Sequence, residues 1–66
     1  MRVEIKHQGE ELIVESEDPI SINEVLERLD IPSSTVLAVH KDVIVPHTST
    51  IGADIRLELV VVSSGG

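Results

Sequence analysis

Ser21-Ile22-Asn23-Glu24-Val25-Leu26-Glu27-Arg28-Leu29 is the stretch whose reading decides the fold. Ser21 followed three residues later by Glu24 has the form of a capping box. In such a box the hydroxyl and the carboxylate satisfy amides that have no partner at a helix start. Ile22, Val25, Leu26 and Leu29 then fall at i, i+3, i+4 and i+7, one apolar stripe, while Asn23, Glu24, Glu27 and Arg28 take the opposite face. Pro32 ends the helix near Asp30, because the residue before a proline is steered out of the helical region. A short amphipathic helix with a single greasy side needs a sheet to cover.

The flanks supply that sheet. Upstream, Arg2 to His7 alternates polar and apolar residues and turns Val3 and Ile5 to one face, the period of a half-buried strand. Gln8-Gly9-Glu10 reads as a hairpin turn, and Glu11 to Ser16 as a second strand with Leu12 and Val14 inward and Ile13 outward. Downstream, Thr35 to His40 reads as a third strand. Lys41-Asp42 is a two-residue connection to a fourth, Val43 to Val45, stopped by Pro46. A polar loop follows. Ile55 to Val62 is a long fifth strand, with Ile55, Leu57, Leu59 and Val61 on one face and Arg56, Glu58, Val60 and Val62 on the other. The expectation is an α+β fold in which a mixed five-stranded sheet packs on one helix. Residues 1–62 form the domain and residues 63–66, Ser-Ser-Gly-Gly, a flexible tail.

Composition narrows what such a domain does. At 66 residues there is room for one small core, since chains of this length bury only about 60% of their unfolded surface. Five basic against twelve acidic residues give a formal charge of −7, which repels phosphate backbones and argues against nucleic-acid binding. The same charge favours encounter with a basic protein surface. No cysteine is present, which removes disulfides, zinc-thiolate sites and thiol nucleophiles, and a cytoplasmic location is expected. The longest apolar run, Leu59 to Val62, is far short of a membrane span, and no basic-then-apolar leader opens the sequence. Phe, Tyr and Trp are absent, so the core is aliphatic and no aromatic cage or stacking platform exists. His7, His40 and His47 lie at strand ends or in a loop, without the i, i+4 spacing of a helical metal site, and are read as surface side chains. No nucleophile-base arrangement is evident, so no catalytic residue and no enzymatic activity are expected.

The order of elements, the helix segment, the hairpin Val36 to Pro46, the stretch Ile51-Gly52-Ala53-Asp54 and the terminal Gly65-Gly66 together resemble the β-grasp group. That group contains ubiquitin, the thiamine and molybdopterin sulfur carriers ThiS and MoaD, and small archaeal modifier proteins. The resemblance spans the whole chain. His40-Lys41-Asp42 stands where ThiS often has Asn-Gly at the turn, and Ala53 splits the usual Gly-Asp pair. The resemblance implies a ubiquitin-like β-grasp fold and a partner of the E1, ThiF or MoeB type that adenylates the C-terminal carboxylate.

The chemistry of the tail agrees with that implication. A C-terminal carboxyl is ionised at neutral pH and is a poor electrophile, so it must be activated before it acylates an amine or accepts sulfide. The chain has no glycine-rich phosphate loop followed by lysine, so ATP would be handled by the activating partner, and no cofactor is expected on this protein. Glycines at Gly65 and Gly66 leave the carboxyl carbon open and let the backbone enter a narrow channel. Four extended residues reach at most about 13 to 14 Å. A sulfur-accepting enzyme or target-protein lysines would be the next partner. Lys6 and Lys41 are the two lysines and hence the candidate isopeptide acceptors if the protein forms chains on itself. Ala38 and His40, beside Val60 and Val62, are expected to form an exposed apolar patch for a protein partner. The alternative function is a non-covalent ubiquitin-like adaptor that binds through that patch.

Overall fold

The computed structural model describes residues 1–62; the tail, with Gly65 and Gly66, lies outside the described residues. Strand β1 (Arg2–His7) turns back through Gln8 and Gly9 into β2 (Glu10–Glu15). Both turn residues have positive φ, 50° and 80°, the two-residue hairpin geometry whose twist matches the flanking strands. The turn is one residue tighter than expected, because His7 and Glu10 already pair. Val14 is buried, Leu12 half-buried and Ile13 exposed, as the alternation requires.

Helix α1 (Ile22–Arg28) starts at Ser21, whose hydroxyl accepts from the Glu24 N–H at 3.1 Å. The reciprocal half of the expected capping box is absent. The Glu24 carboxylate turns instead to the Arg28 guanidinium one turn along, at 3.3 Å. Two further first-turn amides are satisfied from elsewhere in the fold: Ile22 N–H donates to the Ser49 carbonyl at 3.1 Å and Asn23 N–H to the His47 carbonyl at 2.9 Å. At the other end Asp30 adopts φ 59°, Asp30 N–H donates to Glu27 O, and Ile31 N–H reaches back to Leu26 O at 2.9 Å. This is a Schellman closure with an aspartate in the left-handed position that glycine usually fills.

After the helix, Ser33–Thr35 form one 3₁₀ turn, so the third strand of the main sheet begins one residue later than the sequence suggests. The reason is local: the Thr35 N–H and hydroxyl both donate to the Pro32 carbonyl, at 3.1 and 2.7 Å. Strand β4 (Val36–His40) then pairs antiparallel with β5 (Val43–Val45) across Lys41-Asp42, a second turn with both φ positive, 50° and 65°. It forms without a glycine. Strand β7 (Ile55–Val61) lies between β1 and β4, parallel to the first and antiparallel to the second, giving the order β2-β1-β7-β4-β5.

A second, two-stranded ladder is present that no periodicity in the sequence predicts. Strand β3 (Ile20–Ser21) pairs with β6 (Thr50–Ile51) inside what reads as a polar loop, and Ile20 and Ile51 are both buried. This ladder ties the helix start to the β5–β7 connection. Ile20 precedes the cap and Val25 sits four residues into the helix, the positions of a hydrophobic staple, a sequence signal for this burial. The core lies between α1 and one sheet face, where Val3, Ile5, Val25, Leu26 and Leu57 are at most 1% exposed. At Asp54 the carboxylate accepts the Arg2 N–H at 2.7 Å and so caps the first amide of β1.

Candidate partner-binding face

The sheet face turned away from the helix is set by register. Directly opposed residues of neighbouring strands share a face. Glu11 pairs with Lys6, Lys6 with Glu58, Glu58 with Val39 and Val39 with Ile44, so these five form one row across the outer face. The row is charged on its β2 side and apolar on its β5 side. One step along β7, Val60 pairs with Leu37 on the same face. Leu37, Val39, Ile44 and Val60 therefore form a continuous apolar patch, with Ile44 63% and Val60 40% exposed.

This corrects the expected patch. Ala38 is opposite Leu59, not beside Val60, and is 0% exposed in the core. His40 shares the helix-side parity of Ala38, is half-buried, and its Nδ1–H donates to the Arg56 carbonyl at 3.0 Å. Both parities of Val36 to His40 are apolar enough to be buried, so alternation within the strand does not choose a face; the Ala38–Leu59 pairing does. Val60 is on the exposed patch as expected, with Leu37 and Val39 as its neighbours. Val62, just past β7, is half-buried, and its N–H donates to the Thr35 carbonyl at 2.8 Å. Val61, expected on the core-facing side, stands opposite the buried Val36 yet is 50% exposed. Ile44, the most exposed residue of the patch, was missed because a three-residue strand shows no alternation of its own.

The electrostatics around the patch are mild. Arg56 bonds Glu11 at 2.9 Å, but both side chains are more than half exposed, so the pair contributes little to stability. Lys6 lies exposed on the outer face between Glu11 and Glu58. Lys41 is exposed at the first position of the β4–β5 turn. His7 and His47 are half-buried, and among the described residues no group of three or more His, Asp or Glu side chains is placed to hold a metal ion. No described helix is long and apolar enough to cross a membrane.

No family model matches the sequence, and no curated protein matches it. Solved structures do match. The ubiquitin of Caldiarchaeum subterraneum superposes with a TM-score of 0.71 at 18% identity, covering 100% of this chain and 98% of that one. A second likeness is to a structure described as ATBAG1 in complex with HSP70, with a TM-score of 0.71 at 14% identity; it covers 92% of this chain and 40% of that chain. This chain thus spans well under half the length of the second neighbour. At such identities the likeness speaks for architecture alone, and the architecture is that of ubiquitin: an α+β β-grasp fold with one helix on a mixed five-stranded sheet.

Proposed function

We propose that this protein is a ubiquitin-like carrier or modifier whose working atom is the Gly66 carboxyl carbon. The observation that carries the reading is a β-grasp domain that matches an archaeal ubiquitin over nearly the full length of both chains and is followed in sequence by Ser63-Ser64-Gly65-Gly66. An E1-like adenylating enzyme of the ThiF or MoeB type would use ATP to join the carboxylate to AMP, releasing pyrophosphate. Sulfide attacking the acyl carbon would expel AMP and leave a thiocarboxylate, the sulfur donor for thiamine, molybdopterin or tRNA thiolation. A partner cysteine attacking in its place would give a thioester, and a target lysine amine would then displace the thiolate to form an isopeptide bond. The protein itself supplies no catalytic group, and on this reading it is a substrate. Lys6 and Lys41 would be the acceptors in any chain built on itself.

The experiment is an incubation of the purified protein with ATP, sulfide and the host's adenylating enzyme, followed by intact mass spectrometry. Replacement of one oxygen by sulfur is the expected product. Removal of Gly66 should abolish it, since the activated carbon is then lost while every described strand remains. Retained activation without Gly66 would sink the mechanism.

A second reading has an observation of its own. The exposed patch of Leu37, Val39, Ile44 and Val60 suits a protein partner, so a non-covalent adaptor would work through it alone. Target lysines bearing a tail remnant in cell digests would decide for the modifier; an adaptor yields none.

A further inference from the structure

We propose that β5 is a pairing edge through which two copies of this chain associate, strand against strand. Among the described residues the sheet has two open edges, β2 and β5, and they differ in chemistry. Strand β2 carries Glu10, Glu11 and Glu15, with Glu17 and Asp18 just beyond, so a second copy laid against it meets like charge. Strand β5 is Val43-Ile44-Val45, uncharged and β-branched throughout, with Val43 62% and Ile44 63% exposed. Charged side chains are the usual protection of an edge, and this edge has none within the strand.

The backbone geometry selects the residue that pairs. Lys41-Asp42 closes a two-residue hairpin, which makes His40 and Val43 the pair that exchanges hydrogen bonds. Bonding direction alternates along a strand, so Val43 and Val45 point their N–H and C=O groups into β4 and Ile44 points its own outward. Two copies related by a twofold axis would exchange both bonds through Ile44, and Val43 of each would lie opposite Val45 of the other. Pro46, which has no N–H, limits the ladder to this short segment. The association is therefore weak and concentration-dependent.

The outer-face row supplies the complementarity. It runs Glu11, Lys6, Glu58, Val39, Ile44, and pairing through Ile44 joins its apolar end to the same end of the second copy, merging two patches into one. The charged residues of the β4–β5 hairpin itself are Lys41 and Asp42, which cancel, so like charge within the paired segment is small although the whole chain carries −7. Nine of the twelve acidic residues fall within residues 4–30; residues 31–62 hold Asp42, Asp54 and Glu58 against Lys41 and Arg56. This inference does not depend on the chemistry of the tail.

Sedimentation velocity on the full chain from micromolar to millimolar concentration, with amide hydrogen exchange at both ends of that range, tests it. A reversible dimer is expected. The Ile44 N–H should become protected as concentration rises, whereas the Val43 and Val45 N–H groups, already in the β4 ladder, are protected throughout. Ile44→Lys should weaken the dimer at least about tenfold, and Ile13→Lys, on the opposite edge, should leave it within about twofold. A chain that stays monomeric to millimolar concentration overturns the proposal. So does a dimer whose Ile44 N–H remains open, or one lost on Ile13→Lys and kept on Ile44→Lys. The exchange result on the unaltered chain holds even if a variant fails to fold.

Discussion

Ala38→Leu tests the face assignment of β4 directly. Ala38 is 0% exposed, opposite Leu59 on one side and Val45 on the other, within a core shared with α1. Three added carbons have nowhere to go without forcing neighbours off their rotamers, which costs about 1 to 3 kcal/mol. A domain of this size holds roughly 3 to 10 kcal/mol in all, so the loss is a large share of it. Each kcal/mol moves the melting temperature of a small domain by about 4 to 8 °C, so a fall of at least about 4 °C is expected. The control is Val39→Leu on the outer face, where the side chain is half-buried against solvent and the change should stay within about 0.5 kcal/mol. With no Trp, Tyr or Phe, intrinsic fluorescence is unusable and far-ultraviolet circular dichroism is the assay. An unchanged melting temperature for Ala38→Leu beside a clear loss for Val39→Leu would reverse the two faces of β4 and refute the patch built on them.

Other expectations follow from single contacts. Ser21→Ala removes the acceptor for the Glu24 N–H and should lower the urea midpoint by the equivalent of about 1 kcal/mol. Asp30→Gly, at φ 59°, relieves a left-handed backbone that a side chain disfavours; a gain of about 0.5 to 1 kcal/mol is expected in the same titration, and a loss would contradict the strain. Arg56→Ala breaks the exposed pair with Glu11 and should shift stability by no more than about 1 kcal/mol, with little further response to added salt.

Much of the fold is legible because its signals are local. The stripe of Ile22, Val25, Leu26 and Leu29 is a property of 3.6-residue periodicity, and Ser21 and Pro32 bracket it by chemistry that acts within one turn. Gln8-Gly9 and Lys41-Asp42 mark hairpins by their position between alternating runs, although the second closes without the glycine that such turns favour. The β3–β6 ladder escaped because two-residue strands have no period. Its evidence was the isolated Ile20 and Ile51, whose burial depends on the loop being drawn over the helix start.

The sequence by itself determined the helix, the five main strands, the aliphatic core and the acidic balance, since each depends on residue type and spacing within a short window. Tertiary structure alone decided which side of β4 is wet. The run Val36-Leu37-Ala38-Val39-His40 offers two acceptable faces, and the choice rests on β4 pairing with β7 so that Ala38 meets Leu59 and Leu37 meets Val60. A one-residue change of register exchanges the faces, because side chains alternate with a period of two. That pairing moved the exposed apolar patch from Ala38 and His40 to Leu37, Val39 and Ile44 beside Val60, and no local signal in the strand carries it.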